Sequence, residues 1–75
     1  MKGIIVKHDN ELYIQLVHPT YGRLVIEPDN ESRQLINESH ILEEVDGCVI
    51  DFIDTEPKND IKYNHWQFHI DSFAE

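Results

Sequence analysis

The chain has 75 residues and a mass of 8.9 kDa, with 15 acidic against 6 basic side chains and a formal charge of -9. A chain this short buries only ~60% of the surface it exposes when unfolded, so a deep cleft between independent lobes is excluded and 1–75 reads as one small domain. At 40% apolar and 28% charged it has the composition of a folded globule rather than of a disordered acidic tail.

Ile4-Ile5-Val6 opens a β-branched run that stops at Asp9-Asn10, a pair suited to the left-handed conformations of a tight turn. Leu12, Ile14 and Leu16 then alternate with Tyr13 and Gln15, the period of a half-buried strand, and the two runs together predict a hairpin. Pro19 and Gly22 punctuate the chain before a third strand at Arg23-Leu24-Val25-Ile26-Glu27, which Pro28-Asp29-Asn30 ends. Residues 33–37 carry only Leu35 and Ile36 as apolar anchors, enough for a short edge strand at most.

A helical turn is expected around 39–46, where Ile41, Leu42 and Val45 fall at helical spacing between a candidate N-cap, Ser39, and a terminating Gly47. Residues 48–54 return to strand with Cys48, Ile50 and Phe52 on the inner side, and 55–60 form a polar loop around Pro57. In the last segment, 61–70, Trp66, Phe68 and Ile70 alternate as in a strand, while Tyr63, Trp66, Ile70 and Phe73 would line a helix. Aromatic content and the scarcity of helix formers favour the strand. The fold class is therefore mainly β: a five- or six-stranded OB-like or SH3-like barrel with one short helical turn, whose closure removes exposed sheet edges.

Between residues 21 and 70 the residue order resembles cold-shock-type OB folds. Ile26-Glu27-Pro28-Asp29 stands where that family has an I-x-P-D turn, and Leu42-Glu43-Glu44, Gly47, Ile50-Asp51-Phe52 and Glu56-Pro57-Lys58 echo its acidic turn, V-x-F strand and following loop. The resemblance implies a barrel that binds single-stranded nucleic acid by stacking bases on exposed aromatics. The chain departs from the family at those positions, with Leu24 or Val25 in place of the first aromatic motif and Gln34-Leu35-Ile36-Asn37 in place of the second. The fold is thus carried over and the stacking platform is not.

Chemical motifs are sparse. His65 and His69 are four apart, but on a strand that spacing separates them by about 13 Å, too far for one metal ion. Cys48 opens an apolar strand, where a cysteine serves as a small hydrophobe, and as the lone cysteine it closes no intramolecular disulfide. Asp46, Asp51 and Asp54 lack calcium-loop spacing. The expectation is no enzyme, no catalytic residue, no metal and no cofactor. No apolar stretch approaches the roughly 18 residues of a membrane helix, and the N-terminal apolar run is too short for a secretory leader, so a cytoplasmic location is expected.

The strands are apolar on two sides. With Ile4, Val6, Leu12, Ile14, Leu16, Leu24, Ile26, Ile50, Phe52, Trp66, Phe68 and Ile70 assigned to the interior, Ile5, Val17, Val25, Val49 and Ile53 face outward. An apolar stripe rimmed by charge marks a protein contact. The expected interaction surface is Ile5, Val25, Val49 and Ile53 with Tyr13 and Tyr63, receiving a protein partner or a second copy of the chain. The alternative, single-stranded nucleic acid on Tyr13, Tyr21, Arg23 and Tyr63, is opposed by the negative charge. A third reading is an acidic inhibitor that mimics nucleic acid toward a basic enzyme.

Overall fold

The computed structural model describes residues 1–54 and 63–74, with side chains at 1–50 and 66–74. Five strands, β1 (Lys2–His8), β2 (Glu11–His18), β3 (Gly22–Pro28), β4 (Glu44–Asp54) and β5 (Tyr63–Phe73), close into a barrel in the order β1-β2-β3-β5-β4. All neighbours are antiparallel except β3 and β5, which run parallel through a short contact at Glu27/Gln67 and Pro28/Phe68. The barrel class expected from the sequence is the one observed. The loop expected at 55–60 lies outside the described residues.

The β1–β2 hairpin turns through Asp9 and Asn10, both at positive φ (48° and 66°), the two-residue geometry whose twist matches that of the flanking strands. The β2–β3 turn ends on Gly22 at φ 75°, and the ring of His18 accepts hydrogen bonds from the backbone of Thr20 and Tyr21 (3.0 and 3.3 Å). Ile5, Ile14, Leu16, Ile36, Val45, Phe68 and Ile70 form the buried core, with Leu12, Leu24, Ile26 and Val49 packed at its margin.

Two local expectations are corrected between β3 and β4. Residues 33–37 hold no strand; a helix, α1 (Asn30–Leu35), runs into them. Asp29 is its N-cap, accepting from Ser32 N at 2.9 Å, with Glu31 in the first turn and Arg33 in the last, where each complements the helix dipole. The turn expected at 39–46 is a 3-10 turn at Glu38–His40, and Asn37, not Ser39, caps it. Its Oδ1 accepts from Ser39 N (2.8 Å) while His40 Nδ1 accepts from Asn37 N (3.0 Å). Gly47 ends no helix but lies inside β4, beside an irregularity between Asp46 and Gly47.

The inner and outer faces of β1 and β4 are the reverse of those expected. Ile5 is 0% exposed and Ile4 37%; in β4, Val45 and Gly47 are buried and Val49 is half-buried against the core, leaving Cys48 and Ile50 exposed. Both strands contain consecutive apolar residues, Ile4-Ile5-Val6 in β1 and Cys48-Val49-Ile50 in β4, which fit either register, and a shift of one residue exchanges the faces. The partners decide. Ile5 stands opposite Ile14 and Val49 opposite Phe68, and residues paired across a ladder lie on the same side of the sheet.

Candidate interaction face

The ladders assemble an outer surface on the first three strands. Ile4 pairs with Gln15 and Gln15 with Val25, giving one row; Val17 pairs with Arg23 in the next. One further step of each register places Lys2 beside Val17 and Glu27 beside Tyr13. Val17 is 72% exposed and Val25 53%. A shallow groove of about 470 Å³ runs along this surface, lined by Met1, Lys2, Ile4, Gln15, Val17 and Glu44 among others. Tyr13 is half-buried at the far end, its hydroxyl donating to Glu11 (3.1 Å). That hydrogen bond, then burial and the negative charges of Glu11, Glu27 and Asp9, push the Tyr13 pKa above its ordinary value, which agrees with Glu27 lying next to it.

Of the residues expected to form the contact surface, Val25 and Tyr13 lie on this face; Arg23, expected only in the nucleic-acid alternative, lies on it beside Val17. Ile5 does not belong to it, being wholly buried, and Val49 packs against the core. Their outward places are taken by Ile4 and Ile50. The side chains of Ile53 and Tyr63 lie outside the described residues.

Charge divides along the chain. Residues 1–28, which hold β1, β2 and β3, carry three basic and three acidic side chains, whereas 29–75 carry three basic and twelve acidic ones. The charges of β1, β2 and β3 therefore balance, and the formal charge of -9 comes from the remainder of the chain, of which Glu44 and Asp46 on β4 flank the face beside Ile4 and Lys2.

At the end of the β2–β3 hairpin three rings meet. Tyr21 lies 4.6 Å from Trp66, centroid to centroid, and 5.0 Å from His18, while His18 stacks on Trp66 at 6.3 Å with 12° between planes. Tyr21 stays 60% exposed. This cluster escaped the sequence reading because 45 positions separate Tyr21 from Trp66 and only the parallel β3–β5 closure brings them together.

A second polar centre joins α1 to β5. Asp29 N donates to Phe68 O (2.9 Å), Ile70 N donates to the Ser32 hydroxyl (2.7 Å), and His69 Nδ1 lies 2.6 Å from Asp29 Oδ2. The hydrogen bond with Asp29 raises the pKa of His69 against the opposing effect of burial, with support from the charges of Asp29, Asp71 and Glu31. Burial would raise the Asp29 carboxyl, but hydrogen bonds from Ser32 and His69 and the His69 charge outweigh it and hold the pKa below 3.8.

Serine, histidine and aspartate are the residue types of a hydrolytic triad, which needs an exposed hydroxyl held by the imidazole. Here the hydroxyl is fully buried and accepts from Ile70 N, and His69 Nε2 instead faces Asp71 Oδ1 at 3.6 Å. This centre fastens a helix. Among the described residues no three His, Cys, Asp or Glu side chains are placed to share a metal ion, and no helix is long and apolar enough to cross a membrane.

Compared with protein-family models, curated proteins and solved structures, the chain matches none. Its class is defined by the fold alone: a small closed five-stranded β-barrel with a short helix between β3 and β4.

Proposed function

We propose that this chain is a non-enzymatic, cytoplasmic protein-binding barrel that docks a protein surface on the outer face of β1, β2 and β3. The observation that carries the reading is the row Ile4, Gln15 and Val25, with exposed Ile4 and Val25 on either side of half-buried Gln15 and exposed Val17 beside it, on strands whose own charges balance. Scattered exposed aliphatics are ordinary, but aliphatics made contiguous by strand pairing form a patch of the kind that partners cover. The most reactive combination of side chains, Ser32 with His69 and Asp29, is engaged in holding α1, which supports a binding rather than a catalytic role. A fitting partner is apolar at its centre, acidic where it meets Lys2 and Arg23, and basic where it meets Glu27 and Glu44.

The test compares the wild-type chain with Val17→Asp, each labelled, by sedimentation in purified form and in a lysate of the source cells. The expected result is a complex heavier than 8.9 kDa that the variant fails to form while keeping its circular dichroism spectrum. A chain that sediments as a monomer in both settings refutes the proposal.

A second reading, single-stranded nucleic-acid binding in keeping with the cold-shock resemblance, draws support from the Tyr21 and His18 rings, on the same hairpin as Arg23, and from the Trp66 ring of β5 that they meet. Base-on-aromatic stacking is worth ~1–3 kcal/mol per base, but affinity for a polyanion depends on cations and this chain has six. A low-salt gel shift with an oligonucleotide that also quenches Trp66 would favour it; no band movement removes it.

A further inference from the structure

Resting on the reading of the β1–β2–β3 face as a protein contact, we propose that its occupant is a second copy of the chain, related by a two-fold axis through Val25 so that Arg23 of each protomer meets Glu27 of the other. On β3 the exposed residues are Arg23, Val25 and Glu27, alternating with half-buried Leu24 and Ile26. Along this strand the outward order is cation, aliphatic, carboxylate, and the ends are ~13 Å apart at ~3.3 Å per residue.

A two-fold interface is isologous: whatever stands at one position must complement what the symmetry brings over it. Antiparallel superposition of two such strands about Val25 places Arg23 over Glu27 twice and valine over valine. The parallel superposition would place arginine on arginine and glutamate on glutamate. The pattern therefore selects one orientation of a second copy.

The neighbouring strand obeys the same axis. Gln15 stands beside Val25, Val17 beside Arg23, and Tyr13 one step on beside Glu27, so Val17 of one protomer falls over Tyr13 of the other, an aliphatic on an aromatic. Sheets stacked ~10 Å apart and crossed by ~30° displace the strand ends sideways by only a few ångströms, which the long Arg23 and Glu27 side chains span. Within one chain Glu27 already lies 3.9 Å from Arg33, both about half exposed, a surface pair too weak to withhold it from a second cation.

Of the charge of -9 per protomer, Glu44 and Asp46 of β4 reach the rim of the contact, where they pair with Ile4 and Lys2. Within residues 1–28 three basic and three acidic side chains balance, and the β4 carboxylates stand three strand spacings, ~14 Å along the sheet, from the axis at Val25, beyond the ~8 Å Debye length at physiological salt. A foreign basic protein on the same face is the competing occupant, which the experiment separates.

Sedimentation equilibrium in about 0.15 M salt, with loading concentrations up to roughly 500 µM because association follows mass action, is applied to five chains: wild type, Arg23→Glu, Glu27→Arg, the double swap Arg23→Glu/Glu27→Arg, and Val17→Asp. Circular dichroism confirms that each is folded. The wild type is expected to form dimers, and each single reversal sets like charges against each other twice, weakening the dimer by roughly tenfold or more. The double swap exchanges the signs and is expected to recover to within about threefold of the wild type. A wild type that stays monomeric throughout overturns the proposal, as does a dimer indifferent to the single reversals or a double swap no better than either single. If the purified chain is monomeric while a heavier, Val17-dependent species persists in the lysate, the second-copy assignment falls and the protein-contact reading stands.

Discussion

Replacing Ser32 with alanine removes one oxygen atom from the dry junction between α1 and β5. That oxygen accepts from Ile70 N at 2.7 Å. In Ser32→Ala the Ile70 N–H is left buried without an acceptor, at about 1–3 kcal/mol. Such a loss is large for a chain whose whole stability is about 4–11 kcal/mol. It corresponds to a drop in Tm of roughly 4–24 °C for a domain of this size. Urea unfolding followed by the fluorescence of Trp66, the single tryptophan, should show a lower midpoint at unchanged slope, and hydrogen exchange should show that the Ile70 amide has lost protection. A change below about 0.5 kcal/mol, which is the range of ordinary surface substitutions, with the Ile70 amide still protected would mean that the hydroxyl is not that amide's partner, and the account of how α1 is fastened would be wrong.

The same helix attachment has a pH signature with a definite sign. The folded pKa of His69 is raised above 6.5, so its contribution to stability is fully present below that value and is lost as pH rises through the folded pKa. The folded pKa of Asp29 is lowered from 3.8, so its contribution is present above 3.8 and is lost as pH falls through the lowered value. The Tm difference between wild type and His69→Gln should be greatest on the plateau between the two and shrink on the alkaline side above 6.5; a difference that grows with pH there would contradict the assignment. Gly47→Ala tests the close approach of β4 and β5. A Cβ at Gly47 would overlap the carbonyl oxygen of His69 and lie 2.7 Å from Phe68 Cε1, so backbone must move and the cost should exceed about 3 kcal/mol. A soluble variant with a wild-type unfolding midpoint would show that the strands can separate there freely.

The hairpin was legible because its signals are local: Asp9-Asn10 accepts left-handed backbone, and Leu12, Ile14 and Leu16 alternate without ambiguity. The α1 helix was legible in principle and was missed. Asp29 three residues before Ser32, with Glu31 between them, is a capping signal, but six residues with few apolar anchors are too short to form a helix on their own. What makes α1 a helix is the bond of Ser32 to Ile70, 38 positions away. Of the candidate surface, Val17, Val25 and Tyr13 were readable from clean alternation in β2 and β3. Ile5 and Val49 were misplaced because they sit in unbroken apolar runs.

By itself the sequence determined that the chain builds one mainly β barrel, that its early strands form a hairpin, that those strands are apolar on two sides, and that its charge is strongly negative. These follow from short-range periodicity, turn chemistry and composition, which each residue carries with it. Tertiary structure alone decided which face of β1 and β4 looks inward, where the helix forms, that Tyr21 meets Trp66, and that Ile4 and Val25 share one row across β1, β2 and β3. A pattern of period two defines two faces but not which of them is inside; only the partner strand, through Ile14 against Ile5 and Phe68 against Val49, makes that choice.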